Sequence, residues 1–217
     1  EMRCRLVGSE MCIRDSVDTF QIDLLAYQRG NQAVVINQLE LKAGAYSSVV
    51  IAIIDGDNNR SYVLEDDGGS DVQTELSVAA GGLQLSGLTV AADGNQTFTI
   101  EFDLRKSLLQ VGSLYQLVAE GIRLQDNQEA TYISGEVDPS LFNTESPCAE
   151  KTEPTAGNVV YLYSGHGLDA SQLVDVYDPE FASTAPDNAI APFASSTVVD
   201  DGGSWKYDFS FLPAGDY

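Results

Sequence analysis

The sequence predicts an all-β protein made of two antiparallel, Ig-like β-sandwich modules. Short runs alternate apolar and polar residues, Gly, Asn and Asp separate the runs, and one phrase occurs twice. The phrase is Leu-x-Ala-Gly-x-Tyr, at residues 41–46 and 212–217. Many β-sandwiches close one end with a tyrosine that follows a tight turn and bonds back to upstream backbone. We therefore expect one such corner in each module.

The first residues resemble a sequencing adapter translated in frame rather than a natural protein segment. The run is Leu-Val-Gly-Ser-Glu-Met-Cys-Ile-Arg-Asp-Ser at 6–16, and we treat residues 1–16 as artefactual. The cysteines at positions 4 and 12 are thereby set aside, which leaves Cys148. We expect the native start, with any signal peptide, to be missing, and the chain to be truncated at Tyr217, where a strand should begin.

The remaining chain is expected to form modules at residues 17–128 and 129–217. The first module should lack its opening strand, because the adapter-like segment occupies that place, and should therefore carry an unpaired sheet edge. In the first module, the runs with strand-like alternation are residues 20–24, 48–54, 61–64, 97–104 and 115–118. In the run 97–104, alternation predicts Phe98, Ile100, Phe102 and Leu104 on one inward face.

Strand-like runs continue into the second module, at residues 132–137, 159–163 and 204–211. Alternation predicts that the four aromatic residues of the last run form a core face, and they are Trp205, Tyr207, Phe209 and Phe211. One short helix is expected at residues 170–177, capped by Asp169. Long irregular stretches at 138–158 and 164–192 are expected to serve recognition or to be mobile connections.

Acidic residues outnumber basic ones by 33 to 11, which gives a formal net charge of −22. Such a charge repels phosphate backbones and anionic lipid headgroups, so it argues against binding to nucleic acid or to a membrane surface. It is compatible with divalent cations, with basic partners, or simply with a solvated acidic surface.

Four motifs of the first module resemble a known family. They are Asp23-Leu24-Leu25, the phrase at 41–46, Gly-Leu-Gln-Leu at 82–85 and Phe-Asp-Leu-Arg-Lys-Ser at 102–107. Over about residues 20–125 they resemble a bacterial surface-lipoprotein domain, domain of unknown function 4382. The resemblance implies an exported protein at the cell envelope, outer membrane or cell surface, attached to the membrane only through a lost N-terminal lipid anchor. It implies no catalytic residues.

The second module resembles the prealbumin-like and carboxypeptidase-regulatory-like sandwiches. Residues 133–137 and 207–217 carry this likeness. These are turn and core positions, so the resemblance implies a fold and leaves the function open.

A calcium site is the first candidate for chemistry. Asp55, Asp57 and Asn59 provide oxygen ligands at alternate positions, and Asp66 falls twelfth in the same frame. Arg60, however, stands where the turn glycine of a calcium loop belongs. A solvated hairpin turn is therefore the alternative interpretation, and no other cofactor is expected.

The sequence contains few residues that could form a catalytic site. His166 is the only histidine, and Leu162 replaces the first glycine of the Gly-x-Ser-x-Gly motif around Ser164. A zinc site with three histidines is impossible with one histidine. Cys148 is either a reactive thiol or the disulfide partner of a cysteine beyond Tyr217. We therefore expect no enzyme.

The aromatic residues Tyr161, Tyr163 and Trp205 are candidate ligand-binding residues. They would stack on sugar rings if one strand face were exposed, and would otherwise belong to the core. The basic step Arg105-Lys106 is expected to pair with neighbouring carboxylates. The sequence thus predicts a non-catalytic binding or display module for a glycan or an envelope protein. The alternatives are a calcium-stabilised structural spacer and, third, an unrecognised hydrolase.

Overall fold

A computed structural model describes most of the chain. The described residues are 2–8, 12–13, 21–54, 60–66, 69–78, 82–92, 94–142, 157–175 and 188–217. Two compact units, Glu1–Gln128 and Glu129–Tyr217, make up the protein. Nearly all regular structure is β-strand, which confirms the predicted all-β class. Across these described ranges, no helix has the length and apolar character that a membrane crossing requires.

Among its described residues, the first unit contains ten strands, one α-helical turn and a 3-10 turn at Leu24–Ala26. The strands and the α-helical turn are β1 (Met2–Gly8), β2 (Cys12–Ile13), β3 (Gly44–Ile53), β4 (Tyr62–Asp66), β5 (Asp71–Val78), β6 (Leu83–Val90), β7 (Phe98–Phe102), α1 (Leu104–Ser107), β8 (Leu108–Val111), β9 (Leu114–Leu117) and β10 (Ile122–Asp126). The strand orders are β2-β1-β3-β6, β4-β5-β9-β8 and β7-β10.

The expected gap at the place of the opening strand is not found, because the position beside β3 is occupied. Residues of the adapter-like segment form β1, which pairs antiparallel with β3 from Met2↔Ile53 to Gly8↔Tyr46. The ladder uses backbone groups, so an extended segment can complete it whatever the origin of its side chains. The artefactual origin of residues 1–16 stays a prediction.

The prediction of purely antiparallel sheets also needs correction. Strands β5 and β9 pair parallel, with Leu76 opposite Tyr115 and Val78 opposite Leu117. Parallel neighbours require a long crossover connection. The intervening chain supplies one, because β6, β7, α1 and β8 lie between the two strands.

The core of the first unit is built from residues of both four-stranded sheets and of the β7-β10 pair. Its buried members are Tyr46, Val49, Ile51, Val78, Leu83, Leu85, Leu117 and Ile122. Ile100 and Phe102 pack against this cluster, as alternation predicted for β7. Leu104 does not continue that strand: the Asp103 side chain accepts a hydrogen bond from the Arg105 backbone N–H at 3.2 Å, and α1 begins.

The second unit contains five strands in its described part, in sheets β11-β15-β14 and β12-β13. They are β11 (Thr131–Glu136), β12 (Val159–Leu162), β13 (Ala194–Thr197), β14 (Val199–Asp201) and β15 (Ser204–Leu212). Its core holds Ala194, Phe209 and Leu212, with Tyr207 packed against them. The expected helix is shorter than predicted: Asp169 caps a 3-10 turn, Ala170–Gln172, and residues 176–187 lie outside the described ranges.

A bulge in β15 changes the predicted core face. Thr131 lies opposite Leu212 and Ile133 opposite Phe209, so β15 has one extra residue between these pairs. Phe211 is in this stretch, with a φ of 51°. The extra residue inverts the alternation, and therefore Leu212 is fully buried beside Phe209. The expectation that Phe211 continues the core face is wrong for this reason.

Both copies of the repeated phrase form the predicted tyrosine corner. The Tyr46 hydroxyl donates to the Lys42 carbonyl at 3.0 Å. The Tyr217 hydroxyl donates to the Pro213 carbonyl at 2.8 Å. The donor and acceptor are four residues apart in each case, so the same local sequence gives the same local closure in both units.

Candidate binding surfaces

The calcium candidates lie mostly outside the described residues. Asp55, Asp57 and Asn59 lie outside the described residues. Asp66 is the last residue of β4, where its backbone pairs with Asp71. Among the residues that the structure describes, there is no group of three or more His, Cys, Asp or Glu that could hold a metal ion. The calcium site stays a prediction, which melting curves recorded with and without calcium would test.

The hydrolase candidates are not assembled by the described structure. His166 is exposed in a loop, and the neighbouring Gly165 N–H donates to the Asp216 carbonyl at 2.8 Å. Cys148 lies outside the described residues. The geometry therefore gives no support to His166 as a catalytic base.

The three candidate stacking residues lie on different faces. Val160 and Leu162 of β12 pack against the core, so Tyr161, which lies between them, faces away from it, and Tyr163 follows the end of the strand. The Tyr163 hydroxyl donates to the Val174 carbonyl at 2.9 Å. Burial raises the pKa of Tyr163, and the charge of Asp175 acts in the same direction.

Trp205 belongs instead to the core-facing side of β15. It is half-buried, and its ring meets Phe142 edge-on, with centroids 5.6 Å apart. Alternation therefore separates Trp205 from the outward Tyr161. A glycan platform formed by these residues stays a prediction.

The basic step Arg105-Lys106 lies in the helical turn α1. Lys106 is tucked against Gly121, where an added Cβ would lie 2.5 Å from the Lys106 Cβ. Burial lowers the pKa of Lys106; the charge of Asp103 opposes this shift and that of Arg123 adds to it. Lys106 is thus part of the packing of the first unit, where it contacts Gly121 and interacts with the charge of Asp103.

A hydrogen-bonded carboxylate lies on the core-facing side of the β4-β5-β9-β8 sheet. Glu65 accepts from the Thr74 hydroxyl at 2.6 Å and from the Tyr115 hydroxyl at 2.7 Å. The hydrogen bonds from Thr74 and Tyr115 lower the pKa of Glu65, and the bond to Glu65 raises the pKa of Tyr115. The group ties three strands together, since Glu65, Thr74 and Tyr115 belong to β4, β5 and β9.

The opposite side of the same sheet carries exposed apolar residues. Leu64, Val111 and Leu114 are 55%, 58% and 44% exposed. Strand alternation and register place them on the side away from Val78 and Leu117 of the core. We call this side the outer face. Its members are Tyr62, Leu64, Asp71, Gln73, Glu75, Ser77, Leu109, Val111, Leu114 and Gln116.

The outer face combines apolar and acidic side chains. Val111 lies opposite Leu114 on neighbouring strands, and Glu75 lies opposite Tyr62. The acids among the named members are Asp71 and Glu75, and none of these members is basic. A sheet side of this kind is suited to contact with another molecule, because clustered exposed apolar side chains mark interaction sites.

Sequence reasoning missed the outer face because it depends on pairing between distant strands. One local signal was present: Gly112 and Ser113 separate Val111 from Leu114, and Gly112 has a φ of 65°. This is the pattern of a two-residue hairpin loop, which brings the flanking apolar residues opposite each other. The Glu65 group gave no local signal, because its three members come from different strands.

The family of the chain follows from a comparison with known domains. A family model described as Domain of unknown function (DUF4382) matches residues 7–118, just over half of the chain. The chain belongs to this family. The DUF4382 match begins inside the adapter-like segment and includes the Tyr46 corner and the whole outer face. Neither a curated protein nor a solved structure matches the chain.

Proposed function

We propose that the chain is a non-catalytic binding and display module, and that the outer face of its DUF4382 domain is the binding surface. The observation that carries this proposal is the exposure of Leu64, Val111 and Leu114 on one sheet side. Exposed apolar area of this kind is unfavourable in water unless a partner covers it. The Glu65 group on the other side ties β4, β5 and β9 together, so the strands that carry Leu64 and Leu114 are held in one sheet.

The wider setting of the proposal comes from the resemblances. We propose an exported, lipid-anchored protein outside the cytoplasm, in which the second unit is a prealbumin-like or carboxypeptidase-regulatory-like sandwich. The strong negative charge supports a protein or glycan ligand over an anionic surface, since the field repels phosphates. Fractionation of the full-length protein in cells, with a fatty-acid analogue as label, tests export and lipidation.

The binding proposal is tested with arrays of immobilised glycans and peptides. The wild-type chain is compared with an outer-face variant, Leu64→Ser/Val111→Thr/Leu114→Ser, which keeps the net charge. We expect at least one class of ligand to bind the wild type and to be lost in the variant. Equal array binding by both proteins would exclude the outer face as the binding surface.

A matched control removes as many exposed apolar side chains elsewhere. It is Leu25→Ser/Val34→Ser/Leu141→Ser, at positions that are also exposed. Substitutions at exposed positions generally change stability by less than about 0.5 kcal/mol each, so both variants should fold. Circular dichroism checks this, and we expect the control to bind as the wild type does.

A further inference from the structure

We infer that the partner of the outer face is a basic, amphipathic segment of another protein, with apolar side chains flanked by Lys or Arg. The inference rests on the proposed function and specifies its ligand. The apolar part of such a segment would cover Leu64, Val111 and Leu114, while its cations would meet Asp71 and Glu75.

The first argument is the local charge of the outer face. Within β4, β5, β8 and β9, the described outer-face side chains include the acids Asp71 and Glu75 and no base. The nearest base along the chain, Arg60, precedes β4. Interfaces arrange charge so that a negative patch meets a positive one, and like charge placed opposite disfavours a wrong partner.

The second argument is the charge of the whole chain. With a net charge of −22, a second copy would be repelled, and so would nucleic acid or an anionic bilayer. A basic protein segment is attracted by the same field and still finds apolar contacts at the sheet. The long-range field and the local face therefore favour the same class of partner.

The third argument concerns the spacing of the face. Leu114 and Val111 form one apolar pair on β9 and β8, and Tyr62 and Leu64 lie together on β4. Glu75 of β5 stands between them, opposite Tyr62. A partner that crosses the strands thus meets apolar, acidic and apolar positions in turn. The complement of this order is a partner whose apolar and basic side chains alternate along the one side that faces the sheet.

The test uses a short fluorescein-labelled peptide with a Val-Val-Lys-Lys repeat, the Lys/Val peptide, titrated with the full chain by fluorescence anisotropy. In the extended peptide this repeat makes Val and Lys alternate along each side. Two control peptides replace Lys by Glu or Val by Ser. We expect the Lys/Val peptide to bind and both controls to bind at least about tenfold more weakly. The outer-face variant should bind the Lys/Val peptide about tenfold more weakly than the wild type, and the matched control variant should be unchanged.

Charge is then tested separately with Glu75→Gln and Asp71→Asn. Each should weaken binding about threefold and reduce the dependence of affinity on salt. Equal binding of the Lys/Val and Lys/Ser peptides would show that only the net charge attracts them, which overturns the inference. Dimerisation of the wild type in sedimentation velocity, lost in the outer-face variant, would assign the face to a second copy and also overturn it.

The outcomes separate the inference from the proposed function. If a glycan or an acidic peptide binds and is lost in the outer-face variant, the function holds and the partner chemistry is wrong. If the Lys/Val peptide binds the wild type, the outer-face variant and the control variant equally, both the inference and the location of the binding surface are wrong.

Discussion

The two tyrosine corners share a sequence and a hydrogen bond but differ in what they bury. In the first unit, Tyr46 itself is a core residue, and Leu41 is partly buried against the same cluster. In the second unit, Leu212 is fully buried, while Tyr217 packs beside it against Phe193, with ring centroids 5.5 Å apart. The phrase therefore specifies the turn and the i to i−4 bond, and the surrounding sheets decide which side chain fills the core.

The largest effect should come from truncating the leucines of the two phrases. Leu212→Ala removes a fully buried side chain, so it should lower the free energy of unfolding by about 2–5 kcal/mol. Leu41→Ala should lose about 1 kcal/mol, because Leu41 is only partly buried. The sole tryptophan, Trp205, reports unfolding of the second unit by fluorescence, and amide hydrogen exchange in β6 reports the first.

One outcome of the leucine substitutions would contradict this account of the two corners. A greater loss from Leu41→Ala than from Leu212→Ala would show that the leucine, and not the tyrosine, anchors the first corner. Leu141→Ala, at an exposed position of the second unit, should change little and serves as the control.

Replacing two glycines by alanine should show how much a rigid neighbour costs compared with a movable one. A Cβ at Gly87 would overlap the carbonyl oxygen of Tyr46 and lie 2.8 Å from the Ser47 carbonyl carbon, both backbone atoms. A Cβ at Gly135 would meet the Tyr207 ring, 2.6 Å from its hydroxyl oxygen. A ring can rotate where a strand backbone cannot. Gly87→Ala should therefore lose about 3 kcal/mol and Gly135→Ala about 1 kcal/mol in chemical denaturation. The reverse order would contradict this explanation.

Removing each tyrosine hydroxyl should have a smaller and equal effect. Tyr46→Phe and Tyr217→Phe each delete one side chain to backbone hydrogen bond, which is typically a net contribution of about 1 kcal/mol. We expect the two losses to agree within about 0.5 kcal/mol, measured with the same two probes. A loss in one unit alone would mean that the shared bond stabilises only one of the corners.

The smallest effect is a difference between the two units in how the free energy of unfolding depends on pH. Hydrogen bonds from side-chain hydroxyls lower the pKa of Glu65, whereas backbone N–H groups of Ser140 and Ser171 lower those of Asp138 and Asp169. A lowered folded-state pKa means stability that is present above the unfolded value, 4.5 for Glu65, and lost as the pH falls through the folded value.

Tyr115 makes the stability contributed by the same group depend on alkaline pH as well. Its pKa is raised above the ordinary 10.0, chiefly by the bond to Glu65, so its contribution is present below that value and lost as the pH rises through the folded one. Thr74→Val and Tyr115→Phe should flatten the acid dependence of the first unit, and Tyr115→Phe also the alkaline one. Tyr132→Phe, exposed in the second unit, is the control. Unchanged pH profiles would show that the Glu65 group is dispensable.

The parts of the fold that sequence could predict are those set by near neighbours. The corners depend on atoms four residues apart, and the inward side of β7 depends on alternation that Ile100 and Phe102 obey. Leu104 was misplaced because the Asp103 cap competes with the strand, and Phe211 because one extra residue inverts the alternation.

The candidate binding surface could not be predicted because it depends on long-range pairing. Leu64 and Leu114 come to one side only through the parallel pairing of β5 and β9, which no local pattern indicates. The calcium residues Asp55 and Asp57, conversely, were visible as a spacing, yet spacing alone does not show that side chains meet.

The most direct test of the binding surface is methyl NMR of the full chain with labelled leucine and valine, titrated with the Lys/Val peptide. Our account predicts shift changes at Leu64, Val111 and Leu114, and none at the buried Leu212. Shift changes that are spread over exposed methyls such as Leu25, Val34 and Leu141, or that are absent from the outer face, would contradict it.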